Sequence, residues 1–215
     1  MKYKLLIFSI LTFSTFNLTS LNAQDYASAL KVSSCGISLE GIRSFTKEFN
    51  ARLGVSMFSY NANNVLNNDQ LTANGNLKLF SLSALADWFP FENNLRLTGG
   101  IVINLNKISM TMTPTKTYNS GNIVYTPAKL GNLVADITFN KVAPYIGIGF
   151  DNPTAGSSGF GFTFDLGTFY QGSPKASLTA SNLLKPMESE SGQLQENIKW
   201  FTFYPVLAFG LTYKF

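Results

Sequence analysis

Large apolar residues recur at every second position over much of the chain, the period of a β-strand with one greasy face. The C-terminal stretch carries the pattern most cleanly. One face there holds Phe215, Tyr213, Leu211, Phe209, Leu207, Pro205, Phe203 and Phe201; the other holds Lys214, Thr212, Gly210, Ala208, Val206, Tyr204, Thr202 and Trp200. Residues 159–171 repeat it, with Phe160, Phe162, Phe164, Leu166 and Tyr170 against Gly161, Thr163, Asp165 and Gly167. Residues 95–106 set Leu95, Leu97, Ile101, Ile103 and Leu105 against Arg96, Thr98, Gly100, Asn104 and Asn106. The same spacing predicts strands over 32–44, 49–60, 76–89 and 139–150, and a weaker one over 175–183.

The second face decides which way the greasy one points. In a soluble sandwich or lipocalin-like barrel the bulky residues turn inward and the outer face is charged. Here the second face offers Gly, Ser, Thr and Asn with few Lys or Glu, a poor solvated surface. The pattern fits an inverted barrel better: bulky residues meet lipid, small and polar ones fill the lumen, and closure satisfies every backbone amide. Segments of this length match the roughly 10 residues a tilted strand needs to cross a bilayer. Aromatics crowd the segment ends (Phe45, Phe49, Trp88, Phe89, Phe91, Trp200, Phe201, Tyr213, Phe215), as an interfacial girdle requires.

The connections predict an antiparallel up-and-down transmembrane β-barrel of eight strands, with long loops on one side. Short connections fall near 45–48, 90–94 and 151–158, longer ones over 61–74, 109–138 and 184–199. The 61–74 stretch, with Asn61, Asn63, Asn64, Asn67, Asn68 and Asn74, has a turn and loop composition. Residues 118–125 have room for a small hairpin, and the polar 184–199 stretch for a short surface helix. Two ways of reaching an even count remain open. Either 175–183 is the extra strand, which puts the short turns outside, or 171–180 extends the strand before it and residues 25–33 supply the missing one.

Two domains follow from the N-terminus. Lys2 and Lys4, the apolar run from Leu5 to Phe16 and the small-residue end at Ala23 lay out a secretory signal peptide over 1–23, leaving 24–215 as the barrel. Composition then removes whole classes of function. The chain of 215 residues has no histidine and a single cysteine, which excludes imidazole catalysis, His metal ligation and a disulfide framework. Cys35 is read as an unpaired small residue on a strand. A formal net charge of +4 gives no case for nucleic acid. Gly147-Ile148-Gly149 and Gly159-Phe160-Gly161 lie on strands with no helix following, so they are not phosphate loops. No metal or other cofactor is expected.

The inward charges are the candidate site. Centring the first short connection on position 46 sets Glu40 across from Arg52, and the turn at Pro90–Asn94 sets Asp87 across from Arg96. All four share the small, polar face. Opposite charges across a strand pair stabilise the pairing, and a bidentate arginine would plug a narrow interior. They form either a structural salt-bridge network or a charged lining to a permeation path. Asp165 and Lys214 point the same way, with partners unassigned.

With these features the chain resembles the small bacterial outer-membrane β-barrels of the OmpA-like and OmpW-like kind. The resemblance rests on Ala143-Pro144-Tyr145-Ile146-Gly147-Ile148-Gly149-Phe150, on Phe164-Asp165-Leu166-Gly167, on Asp87-Trp88-Phe89-Pro90-Phe91 and on the final Leu211-Thr212-Tyr213-Lys214-Phe215. It implies an outer-membrane location among lipids and lipopolysaccharide, and a monomeric barrel. It also implies an assembly signal in Phe215, Tyr213 and Leu211, read by the barrel assembly machinery. No peptidoglycan-binding domain is recognised, so a cell-wall tether is not implied. Three functions compete: a non-enzymatic structural barrel or narrow small-solute conduit, a surface-binding or adhesion barrel acting through its long loops, and a lipid-modifying enzyme. Outer-membrane enzymes of similar architecture work through a histidine, which this chain lacks.

Overall fold

The computed structural model describes residues 26–67, 70–91, 93–120, 123–153 and 158–215; the signal-peptide reading of 1–23 and Asn68 lie outside them. In chain order the strands are β1 (Tyr26–Ser33), β2 (Gly36–Ser44), β3 (Phe49–Asn67), β4 (Leu71–Trp88), β5 (Leu95–Asn104), β6 (Lys107–Pro114), β7 (Tyr118–Ser120), β8 (Ile123–Tyr125), β9 (Leu133–Thr138), β10 (Val142–Phe150), β11 (Gly159–Tyr170), β12 (Lys175–Ala180) and β13 (Phe203–Lys214). A short α1 (Pro127–Leu130), a 3-10 helix (Asn182–Glu190) and α2 (Ser191–Ile198) complete the described elements.

Antiparallel pairing runs β4-β3-β2-β1-β13-β11-β10-β5, and β5 pairs back onto β4, so eight strands close a ring. The expected count is met with a different membership. Residues 32–44 are not one strand: Ser33 pairs with Gly36 across a tight Ser34-Cys35 turn, and Tyr26–Ser33 becomes the strand that was missing. Cys35 therefore sits in a turn rather than on a strand. Gly36 makes the turn possible, because its φ of +106° suits glycine and a Cβ there would lie 2.3 Å from the Met57 carbonyl oxygen. Lys175–Ala180 is a strand, but outside the ring. With β1 included, the connections 45–48, 89–94 and 151–158 all lie at the end that holds both described termini.

The other end carries an arm. β4 forks at Phe80: Ser81–Trp88 pairs with β5, whereas Leu71–Lys78 pairs with β6, which continues to β9 and β12. At the fork the Phe80 amide donates to Asn106 Oδ1 (2.9 Å) and its carbonyl accepts from Leu105 N–H (2.9 Å). The expected 61–74 loop is thus strand over 61–67 and 71–74. Its asparagines bond across the hairpin: Asn76 donates to Asn61, and Asn74 Oδ1 accepts the Asn64 amide at 2.9 Å. Asn64 sits at φ 56°, next to the register shift between Ala62 and Leu66, a backbone asparagine tolerates better than most residues. The small hairpin over Tyr118–Tyr125 and the surface helix after Ser181 form where the composition placed them.

Ring polarity is inside out. Phe160 and Phe162 are 81% and 85% exposed, and Leu97, Ile101, Leu166, Leu207, Phe209 and Leu211 also face outward. Lys31, Arg52, Asp87 and Arg96 are buried inside. Of the aromatics expected at the girdle, Phe89 departs. It shares its strand face with Asp87, turns inward and is fully buried, with its amide donating to Glu48 O at 2.8 Å. Phe49 and Trp88 stack on the outside, ring centroids 6.5 Å apart.

Candidate functional site

The lumen near the termini holds one continuous ionic cluster. Arg52, on β3, bonds three carboxylates: Glu40 of β2 at 3.2 Å, Asp165 of β11 at 3.2 Å and Asp87 of β4 at 3.0 Å. Arg96, on β5, reaches Asp87 at 3.5 Å, ion-pairs with Asp165 and Asp151, and donates to the Asp151 backbone carbonyl at 3.3 Å. Lys31, on β1, bridges Glu40 at 2.8 Å and Asp165 at 2.6 Å. Thr98 donates its hydroxyl to Asp87 Oδ1 at 2.6 Å. Every charge in the cluster thus has an opposite charge beside it, and the links tie strands from around the ring.

The two expected hairpin pairings are off register by two residues. Glu40 lies opposite Gly54, and Arg52 opposite Ile42. Asp87 lies opposite Thr98, not Arg96. Both turns are longer than assumed: Ser44 pairs with Asn50 around residues 45–49, and Trp88 pairs with Leu97. A shift of two keeps each side chain on the same face. Diagonal neighbours are still within reach of a long arginine, which explains why Glu40 and Arg52 meet. Arg96 instead turns towards Asp165 and Asp151 across the lumen.

Two members escaped sequence reasoning. Lys31 fell just outside the strand assigned to 32–44, although Ala27, Ala29 and Lys31 form the same small and polar face seen elsewhere, against Leu30 and Val32. Asp151 lies one residue past the end of β10, where the sequence reads as a connection, and continues the inward face of Gly147 and Gly149. Lys214 is buried on the inner face of β13, lining with Asp151 a polar cavity of about 330 Å³ at the termini end. Phe215, Tyr213 and Leu211 lie outside the lumen, on the exposed side.

Beyond the charges the lumen changes character. Serines from β1 to β4 line one wall, with Ser38 Oγ 2.7 Å from Ser56 Oγ and 3.2 Å from Ser33 Oγ. Leu85, Val102, Ala143, Tyr145 and Phe169 line the other. Gly147 and Gly167 are tied to Tyr145: a Cβ at either would lie within 2.6 Å of its hydroxyl oxygen. Side chain and glycines together fill the space a ring needs. The void left between the walls is about 50 Å³, room for a few waters and no larger solute. Among the described residues no group of His, Cys, Asp or Glu is placed to hold a metal ion.

Fold and site together define a closed eight-stranded barrel, apolar outside and ion-paired within. No protein-family model and no curated protein matches the chain. Among solved structures it is similar to Acinetobacter baumannii CarO2 (TM-score 0.58, 16% identity, covering 88% of this chain and 98% of that one). It is equally similar to CarO of the same organism (TM-score 0.58, 16% identity, 89% and 97%). At that identity the likeness is one of fold. The resemblance read from the sequence is met as β-barrel architecture; these matches do not extend it to the OmpA-like or OmpW-like kind.

Proposed function

We propose that the protein is a non-enzymatic integral outer-membrane β-barrel whose lumen is closed by its ionic cluster. The observation that carries this reading is the inverted polarity: bare phenylalanines and leucines outside, fully paired charges inside. That arrangement suits hydrocarbon as the outer solvent and nothing else. Eight strands enclose an interior that side chains fill, and the cluster and serine layer fill this one. In this reading the short connections and the termini face the periplasm and the arm faces outward, the usual sidedness of such barrels. Lipid and lipopolysaccharide cover the outer face, the barrel is monomeric, and Leu211, Tyr213 and Phe215 present the assembly signal.

Planar-bilayer recording tests the closed lumen. The wild-type protein should give no large, steady conductance; a stable, voltage-insensitive pore would overturn the plugged reading in favour of a permeation path. A second role as a surface-binding barrel is favoured by one observation, that the long excursions fold into a sheet rather than trailing as loops. Cells carrying a barrel without the arm would then lose attachment or phage sensitivity while keeping the barrel.

A further inference from the structure

The ring has a low place in its wall. β1 has eight residues and β2 nine, whereas the flanking β3 and β13 run on well past their turn. At a tilt of about 40° an eight-residue strand rises roughly 20 Å, which stops at or just short of the top of an apolar band about 25 Å tall. Above the Ser34-Cys35 turn, then, β3 and β13 are not bridged by strand. Two cavities open there, of about 310 and 420 Å³, adjoining across Ile108, Phe139 and Tyr204. Phe58 and Leu79 line the first, Phe203 the second.

Chemistry limits what this chamber can hold. None of its lining residues is charged. Its polar groups are already committed to the protein. The Ser34 amide donates to Leu207 O (2.9 Å), its hydroxyl to Pro205 O (2.9 Å), and its carbonyl accepts from the Tyr204 hydroxyl (2.7 Å). Ser33 bonds Gly36 O, Asn106 accepts from Phe80, and Gln171 donates to Phe201 O. Such a sealed turn is what a chain needs where water is scarce. The chamber also opens towards the lipid-facing surface, since Phe203 at its edge is exposed and shares the outward face of β13 with Leu207 and Phe209. Towards the termini the turn itself, the serine wall and the ionic cluster close it.

We propose that this chamber is a binding site for one hydrocarbon chain, an acyl chain of a neighbouring membrane lipid entering over the β1–β2 turn. It is a blind pocket and not a passage. Its size is that of ordinary ligand sites, and it asks of its occupant only apolar surface. The inference rests on the membrane placement proposed above.

Electron paramagnetic resonance of the full chain in vesicles of phosphatidylcholine spin-labelled on one acyl chain tests it. The wild type should immobilise about one chain per protein more than the variant Ile108→Trp, which fills the chamber, while Leu97→Trp, on the lipid-facing side of β5, should match the wild type. Added dodecane should release that same single chain from the wild type, a readout that stands even if Ile108→Trp fails to fold. An unchanged count both in a folded Ile108→Trp, shown by heat-modifiable migration, and after dodecane would overturn the chamber alone. Immobilisation of a free labelled fatty acid but not of the lipid-borne label would overturn the lipid as occupant. A chain recovered unfolded and outside the vesicles would overturn the membrane placement instead.

Discussion

The two halves of β4 obey opposite rules. In the ring, Ser81, Ser83 and Asp87 point inward while Phe80, Leu82 and Trp88 point out; in the arm, Leu77 and Leu79 line the interior while Asn74 and Lys78 are exposed. The strand does not break between them. Its apolar face simply changes sides between Leu79 and Phe80. β3 changes at the paired rung, from outward Leu53, Val55 and Met57 to inward Phe58, with Met57 opposite Phe80 and Phe58 opposite Leu79. Since side-chain direction alternates strictly along a strand, what has changed is the residue type each face carries, and in the membrane placement proposed above that change answers to the solvent outside. Hydrocarbon outside demands polar filling inside; water outside restores the ordinary apolar core. The rung from Met57 to Phe80 thus marks where the polar filling of the lumen gives way to the apolar chamber above the β1–β2 turn.

That contrast can be broken most severely from inside the ring. Arg96→Met leaves Asp87, Asp151 and Asp165 without one of their cations, and removing one partner from a buried ion pair costs about 3–5 kcal/mol. Denaturant titration of the folded barrel in detergent should show a loss of that size, and a loss under about 1 kcal/mol would mean water already solvates the lumen. Next comes the outer face. Leu166→Lys, mid-strand on β11, should cost about 2–4 kcal/mol if the residue sits in hydrocarbon, whereas Thr179→Lys, exposed on the arm strand β12, should stay within about 0.5 kcal/mol of wild type. Equal costs at the two sites would erase the distinction between the halves.

Smaller effects sharpen the comparison. Gly167→Ala pushes a methyl into the Tyr145 hydroxyl and should destabilise by about 1–3 kcal/mol, the usual range for an overfilled interior. On the arm, the exposed Lys107–Asp136 pair at 3.1 Å should be worth less than about 1 kcal/mol and fade with salt. Its pH dependence has a definite sign. The Ser109 hydroxyl, and then Lys107, hold the Asp136 carboxyl below its ordinary value. The contribution is therefore fully present above the unfolded carboxylate range near pH 4 and disappears as pH falls through the lower folded value. Ser109→Ala should weaken that dependence more than Lys107→Ala in an acid titration of arm stability.

Much of the ring was legible because its code is local. Period-two alternation needs only the residues of one strand, so Leu95–Asn104, Gly159–Tyr170 and Phe203–Lys214 could be assigned face by face. The β1–β2 turn was hidden because Ser34-Cys35 is short and lacks the usual turn pair, and the single unusual backbone angle falls on Gly36 after it. The arm was hidden for a different reason. Asn61, Asn63, Asn64 and Asn74 carry loop composition, and strand is chosen there by the pairing of β3 with β4 and of β4 with β6, the latter backed in turn by β9 and β12. The cluster was legible as to face and not as to partner. Parity placed Glu40, Arg52, Asp87, Arg96 and Asp165 inside, but the contacts of Asp165 with Lys31, Arg52 and Arg96 cross the lumen between strands distant in sequence.

The most direct test asks what solvent the outer face meets. In a chain with Trp88→Phe and Trp200→Phe, a single reporter, Leu207→Trp, is placed mid-strand on β13 and reconstituted in vesicles with brominated acyl chains. Strong quenching by the brominated chains, with aqueous iodide ineffective, is the predicted result. A folded barrel whose reporter is untouched by bromine and quenched by iodide would contradict it.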